Sequence, residues 1–207
     1  KDSAYLDRIR SGGESLGADL FLSKGSAAME AAASEELLAE LPAELLDRVH
    51  PRFRGSGGRW LGLSARARII VARRDMEESP TSLLELADPR FEGRVARTVA
   101  TNSSFVGGVA ALLASGGEKD ARAFLSGLDH NSSNSNVYPK HTPTVAAAAE
   151  GSADLALVNH YYFYRAVLGA SYDPELTSEQ ATEILAAAPI VAVYPDAGGR
   201  GVAWNVT

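Results

Sequence analysis

The 207-residue chain contains no cysteine. This absence excludes disulfide bonds, thiolate zinc sites, iron–sulfur clusters and cysteine nucleophiles as a basis for structure or function. The sequence also lacks any apolar run close to the roughly 18 residues of a membrane-spanning helix. Its longer runs, such as 186–193, suit a buried strand instead. With 45% hydrophobic and 22% charged residues, the composition is typical of a globular protein with a substantial core.

The chain lacks a surplus of basic residues. It has 20 Lys and Arg against 26 Asp and Glu, which gives a formal net charge of -6 at pH 7. A nucleic-acid-binding domain usually presents a basic face, and the short basic runs at 66–68 and 73–74 are too small to form one. We therefore expect no nucleic-acid partner and no anionic-lipid partner.

Recognisable catalytic motifs are missing too. The sequence has no G-x-S-x-G elbow, no P-loop and no G-x-G-x-x-G after a strand pattern. The four histidines show no spacing typical of a zinc site; they are His50, His130, His141 and His160. A hydrolase built on Ser103 or Ser104 with His141 would still need an acid to orient the base, and none is evident. The sequence therefore predicts that the protein is not an enzyme.

What the chain does contain is an alternation of strand and helix patterns. The strongest strand pattern is 59–72, whose second half is almost continuously apolar, as expected for a strand covered on both faces. Further strands are predicted at 18–22, 94–101, 153–158 and 190–194. Helices are predicted between them, including 105–114 and 118–128 on either side of Gly116-Gly117. This alternation predicts an α/β fold.

Tyrosine is concentrated in one segment. Three of the seven tyrosines, Tyr161, Tyr162 and Tyr164, directly follow the predicted strand 153–158, and α/β proteins usually bind ligands at the carboxyl ends of such strands. A phenolate is a hard oxygen donor, and only a strongly charged hard cation such as Fe³⁺ would hold two of them deprotonated at neutral pH. The alternative is that the rings pack and their hydroxyls reach solvent. Spacing alone leaves both interpretations open.

Two other segments carry candidate polar groups. Asn102, Ser103 and Ser104 lie at a predicted strand-to-helix junction, where backbone N–H groups can bind a small anion; plain N-capping is the alternative. His141 precedes Thr142, which is predicted to cap a helix that ends at Glu150. His141 could donate to an anion, reach a metal, or be an ordinary loop histidine.

Four stretches together resemble the ferric-ion-binding periplasmic proteins, the solute-binding components of bacterial iron ABC importers. They are R-W-L-G-L-S-A-R-A-R-I-I-V (59–71), L-A-D-P-R-F-E-G-R-V (86–95), N-V-Y-P-K-H-T-P-T-V (136–145) and A-L-V-N-H-Y-Y-F-Y-R (156–165). The N-x-Y-Y pattern within the last stretch is the most specific marker. The resemblance implies a two-lobed periplasmic-binding-protein-like fold of class II type, in which crossing strands join two α/β lobes that close on a ligand.

The resemblance also implies how the chain is divided. Residues 1–66 and 203–207 would form part of the first lobe and residues 67–202 the second, with crossovers near 64–68 and 201–203. Measured against the family, the sequence is expected to be truncated at both ends, without the first strand and the C-terminal part of the first lobe.

By resemblance, Tyr161 and Tyr162 match the paired iron-ligating tyrosines, and the remaining site residues surround a synergistic anion, phosphate or carbonate. Asn159 lies near that anion, and Asn102, Ser103 and Ser104 form the turn that holds it. His141 stands where some members carry an anion-contacting asparagine, and Arg66 matches a cleft arginine. Tyr164 is expected to support the pair or to help ligate. Lys24 follows the predicted strand 18–22 at a usual ligand position, where a protonated lysine cannot ligate but can offset negative charge.

The function implied is capture of Fe³⁺ with the anion in an interlobe cleft and its delivery to an ABC permease. The protein would be a monomer in the periplasm or on the extracellular face of a bacterial membrane. The alternative is a protein of the same fold that binds a small organic or anionic solute, such as a phosphonate or a polyamine, without iron. Lys24 and Arg66 would suit an anion in that case.

Overall fold

A computed structural model describes residues 2–169, 173, 175–195 and 204–206 of the chain. The chain divides into two compact units, one formed by Lys1–Arg66 with Asn205–Thr207 and the other by Ala67–Trp204. The lobe assignment made from the sequence remains a prediction. The crossover expected at 201–203 lies outside the described residues.

The first unit is mostly helical and irregular. Its α-helices are α1 (Asp2–Gly12), α2 (Ser26–Ser34) and α3 (Ala43–Leu46). The strand predicted at 18–22 is wrong: this segment has irregular backbone, and Leu20 and Leu22 are 93% and 71% exposed. A strand needs a neighbouring backbone for its N–H and C=O groups, and no strand in the described residues pairs with this segment.

The second unit is built on a mixed sheet. Its strands run in the order β3-β2-β4-β1-β5. Parallel pairing joins β2 to β3 and β4, whereas β1 runs antiparallel to β4 and β5. The strands are β1 (Ala65–Arg73), β2 (Val95–Thr98), β3 (Val137–Tyr138), β4 (Leu155–Asn159) and β5 (Ile190–Val193). A further strand, β6 (Trp204–Val206), has its last two residues in the first unit.

Helices cover both faces of this sheet. This is seen from β1, whose side chains point alternately into two apolar clusters on opposite faces. Ile69 and Val71 join the cluster that includes Val145 of α5, whereas Ile70 points to the other face and packs with Phe124 of α4. The prediction that this strand is covered on both faces is therefore confirmed, as is the α/β class. The helices of this unit are α4 (Ser103–Asn131), α5 (His141–Ala149), α6 (His160–Val167) and α7 (Ser178–Ala187).

Three helix boundaries bear on the site. Gly117 has φ 80° and ψ 177°, so α4 is interrupted where the sequence predicts two helices to be separated. The N-cap predicted at Thr142 is wrong, since α5 begins at His141 with Lys140 as its N-cap. His141 therefore lies in the first turn of the helix rather than in the loop before it. At the start of α7, Thr177 and Gln180 form a capping box.

Candidate functional site

Sheet direction brings the candidate polar residues to one edge. Because β2 and β4 are parallel, their carboxyl ends lie at the same edge of the sheet. The chain continues from these ends into α4 and α6, which carry Ser104 and Tyr161 in their first turns. The antiparallel strand β1 brings Arg68 to the same edge, directly opposite Asn159 of β4.

A chain of side-chain hydrogen bonds joins β1, β4 and α4. Arg68 Nη1 donates to Asn159 Oδ1 at 3.2 Å, and Asn159 Nδ2 donates to Ser104 Oγ at 3.1 Å. Asn159 is the N-cap residue of α6, but its side chain makes no capping bond. The amide is instead held between the arginine and the serine. Ser104 accepts from Asn159 and so retains its own hydroxyl proton to donate elsewhere.

Arg68 is a buried charge. The residue is 3% exposed, and its Nη2 has no hydrogen-bond partner among the described residues. Burial lowers the pKa of Arg68 to about 9, an effect that the nearby Tyr161 phenol opposes. The guanidinium therefore remains charged at neutral pH, and the ion pairs of the described residues do not include it. A buried cation in this state attracts an anion.

Asn102 acts as a helix cap. Its Oδ1 accepts hydrogen bonds from the backbone N–H groups of Ser104 (3.0 Å) and Phe105 (3.4 Å). The capping interpretation of this side chain therefore holds in the structure. Ser103 is exposed beside it, and Ser104 is largely buried.

The tyrosines divide into two pairs. The rings of Tyr161 and Tyr162 lie 4.4 Å apart between centroids, tilted by 33°, and both side chains are half-buried. Tyr164 hydrogen-bonds through its hydroxyl to the hydroxyl of Tyr194 at 3.1 Å, which joins α6 to the end of β5. Burial and this bond raise the pKa of Tyr194 to about 12. Tyr164 is thus engaged in a second pair, consistent with a supporting role.

Two histidines flank the tyrosine pair and differ in their environments. His160 Nδ1 accepts a hydrogen bond from the backbone N–H of Ala67 at 3.2 Å. His141 is 3% exposed, and neither of its nitrogens has a partner among the described residues. Its ring lies 4.7 Å from the ring of Tyr162. Burial, together with the positive charge of Arg68, lowers the pKa of His141 to about 3.

The structure brings together the predicted residues of the second unit but adds one arginine that sequence reasoning missed. Arg66 and Lys24, both predicted for the site, belong to the first unit. Arg68, two residues beyond Arg66, is the arginine hydrogen-bonded to Asn159. A signal for it was present, because a charge just before the buried run Ile69–Ala72 has little access to water and needs a polar partner.

Within the described part of the chain, no three His, Asp or Glu side chains are grouped closely enough to hold a metal ion. A metal here would therefore depend on the phenol oxygens of Tyr161 and Tyr162. Two adjacent phenols beside a buried arginine could bind a hard cation together with an anion.

Comparison with known proteins identifies the family. The family model of the bacterial extracellular solute-binding proteins matches residues 17–197. The chain belongs to this family. Among curated members, it is 34% identical over 177 residues to the Fe(3+)-binding periplasmic protein of Serratia marcescens, covering 78% of this chain and 51% of that protein. It is 29% identical over 210 residues to iron uptake protein A1 of Synechocystis, covering 100% of this chain and 56% of that protein.

Solved structures of solute-binding proteins share the fold. Iron-bound HitA from Pseudomonas aeruginosa superposes with a TM-score of 0.70 at 27% identity, over 94% of this chain and 74% of that one. The open form of Mannheimia haemolytica ferric iron-binding protein A gives 0.78 at 26% identity, over 97% and 61%. The Trichodesmium protein in complex with iron and citrate gives 0.80 at 23% identity, over 100% and 63%, and shows the fold alone.

These comparisons confirm the resemblance seen in the sequence and the fold class it implied. The chain spans about half the length of the two curated relatives, 51% and 56%. No helix in the described residues is long and apolar enough to cross a membrane.

Proposed function

We propose that the protein binds Fe³⁺ together with a small synergistic anion and delivers the ion to an ABC permease. The observation that carries this proposal is the adjacent pair Tyr161 and Tyr162, stacked at 4.4 Å beside the buried and incompletely bonded Arg68. The relatives named as ferric-ion-binding and iron-uptake proteins support it.

The choice of cation follows from the donor type. Phenols ionise near pH 10 in water, so a metal that binds two of them at neutral pH must offset the cost of deprotonation. Ferric ion can do so because it is small, hard and triply charged, whereas softer divalent ions prefer imidazole or thiolate. The buried guanidinium of Arg68 lies near Tyr161 and would help to balance the negative charge of an anion bound with the metal.

The anion would be phosphate or carbonate. Arg68 Nη2 and the Ser104 hydroxyl are donors at the carboxyl edge of the sheet, linked through Asn159. Asn102 would contribute by fixing the first turn of α4, and the exposed Ser103 lies in the same turn. An anion held here would complete the charge balance around Fe³⁺.

The site is built for binding rather than catalysis. A serine nucleophile needs a base within hydrogen-bond reach, yet Ser104 Oγ is bonded to Asn159 and neither His141 nitrogen has a partner among the described residues. The protein would act as a monomer in the periplasm or on the extracellular face of the membrane, with the permease as partner.

Absorption spectroscopy tests the proposal. Apo-protein titrated with ferric citrate should develop a visible phenolate-to-iron charge-transfer band, because two phenolates would coordinate the ion. The band should disappear in the double variant Tyr161→Phe/Tyr162→Phe. Tyr5→Phe, a change to an exposed tyrosine of α1, serves as the matched control and should keep the band. Absence of the band in the wild-type protein, with no iron retained after desalting, would refute the proposal.

A second candidate is a small anionic solute bound without iron. Arg68 Nη2, which has no hydrogen-bond partner among the described residues, favours it. Thermal-shift measurements separate the two. Stabilisation by phosphate or a phosphonate in metal-free buffer, unchanged by added Fe³⁺, supports the second candidate. Stabilisation that requires both the anion and Fe³⁺ supports the first.

A further inference from the structure

His141 is buried without using its hydrogen-bonding capacity. It is 3% exposed, and both Nδ1 and Nε2 lack a partner among the described residues. Leaving one buried polar group unsatisfied costs about 1–3 kcal/mol, and native proteins seldom leave such groups unpaired. Two unpaired nitrogens on one ring therefore indicate that the ring faces a ligand.

The neighbours of His141 offer it little else. The hydroxyl of Thr144, one turn along α5, is bonded to the carbonyl of Lys140 at 2.9 Å. From α6, the ring of Tyr162 lies 4.7 Å away, and from β1 the charge of Arg68 acts on the imidazole. The other nearby histidine, His160, is fixed to the backbone of Ala67. His141 is thus the histidine whose ring nitrogens remain open beside the tyrosine pair.

We propose that His141 ligates the ferric ion directly through one imidazole nitrogen, alongside Tyr161 and Tyr162. This inference rests on the proposed function. It departs from the role expected by resemblance, in which this position contacts the anion. A neutral imidazole has one nitrogen that accepts and one that donates, so coordination by the first leaves the N–H of the second for the anion or for water. This arrangement satisfies both buried nitrogens.

The available donors favour metal coordination over anion contact as the main role. Arg68 and Ser104 already provide donors for an anion. Two phenolates leave much of the coordination sphere of Fe³⁺ unfilled, and a protonated Lys24 cannot fill it. Imidazole is an established ligand type for iron. Among the described residues, His141 would therefore add a ligand to the two phenolates.

Pulsed EPR of the Fe³⁺-loaded protein tests the assignment. Protein labelled with ¹⁵N-histidine should show hyperfine coupling from a directly bound nitrogen, with the isotope shift that identifies histidine. In His141→Gln this coupling should vanish while the phenolate band persists. Loss of an outer hydrogen-bond partner of a metal ligand already costs about 10–100-fold in affinity, so removal of the ligand itself should weaken iron binding at least that much.

His130→Gln is the matched control, because His130 is an exposed side chain 3.5 Å from Glu92. This variant should keep both the coupling and the affinity. The inference is overturned if iron-loaded wild-type protein shows the phenolate band without histidine coupling, or if the coupling survives in His141→Gln. The wild-type spectrum alone decides the question should His141→Gln fail to fold. If the wild-type protein shows no phenolate band, the proposed function fails first and the inference fails with it.

Discussion

Arg68 is costly to the fold, because its buried guanidinium loses its hydration. Within the described residues it has no carboxylate partner, and its hydrogen bond to Asn159 offsets only part of that loss. A buried charge of this kind is weak evidence for stability. We infer that the positive charge of Arg68 prepares the site, because this charge is in place before the anion and the metal bind.

Replacing Arg68 with lysine distinguishes the effect of its positive charge from that of its hydrogen-bonding geometry. Arg68→Lys keeps the positive charge but loses the planar fork, so it cannot hold Asn159 and present a second donor together. Hydrogen bonds to charged groups are worth about 1.5–3 kcal/mol, so we expect about a 10–100-fold loss of anion affinity. Isothermal titration of the anion into iron-loaded protein measures this loss. Arg66→Lys is the companion variant: if it alone lowers the affinity, the sequence-based choice of Arg66 is correct and Arg68 is structural.

At the scale of elements, α4 matters because its first turn carries Ser104 and its last turns fix the helix against the segment before β2. Gly127 lies so close to that segment that an added Cβ would be 2.5 Å from the backbone carbonyl of Ala87. A Cβ added at Gly108 would instead make only an ordinary van der Waals contact, with Arg68 Nε at 4.0 Å. The two glycines lie in one helix, but only Gly108 leaves room for an added Cβ.

Alanine substitution should therefore have opposite effects at the two positions. Gly127→Ala forces the helix away from the Ala87 backbone, and such overpacking costs about 1–3 kcal/mol. Gly108→Ala should stabilise by about 0.5–1 kcal/mol, because alanine loses less backbone entropy in a helix. Urea unfolding measures both. Equal effects would show that α4 is not fixed at the Ala87 contact.

The bond between Tyr164 and Tyr194 links α6 to the end of β5. Because the folded-state pKa of Tyr194 is raised to about 12, above the ordinary value near 10, this tyrosine contributes stability below pH ~10. That contribution is lost as the pH rises toward 12.

Spectrophotometric titration of tyrosinate absorption should therefore show one late-ionising phenol. Tyr164→Phe should move it toward lower pH, because the hydroxyl bond is gone. Tyr194→Phe should remove it altogether. If a tyrosine with a raised pKa is still seen in Tyr194→Phe, the raised pKa belongs to another residue.

At the scale of the whole molecule, the sequence predicted most elements of the second unit but not the assembly of its site. The buried strand β1 and the break at Gly117 were predictable, since apolar runs and glycine pairs act locally. The irregular backbone of segment 18–22 was not predictable, because its apolar residues have no strand partner among the described residues.

The arginine of the site could not be chosen from the sequence. Arg66 and Arg68 share one face of the strand, so spacing could not tell which one is buried. Asn159 is the N-cap residue of α6, and only its register opposite Arg68 shows why its side chain makes no capping bond.

The unfolding temperature of the protein should show which cations bind at the site. A ligand that binds only the folded protein stabilises it by about 2.7 kcal/mol when present at 100 times its dissociation constant. Fe³⁺ with phosphate or carbonate should raise the unfolding temperature, and Ga³⁺ should do the same because it has the same charge and hardness. Fe²⁺ and Zn²⁺ should have little effect, since they do not favour phenolate ligands. In Tyr161→Phe/Tyr162→Phe the response to Fe³⁺ and Ga³⁺ should be lost. An equal response of the wild-type protein to Zn²⁺ and Fe³⁺ would contradict a phenolate site and indicate that imidazole ligands dominate instead.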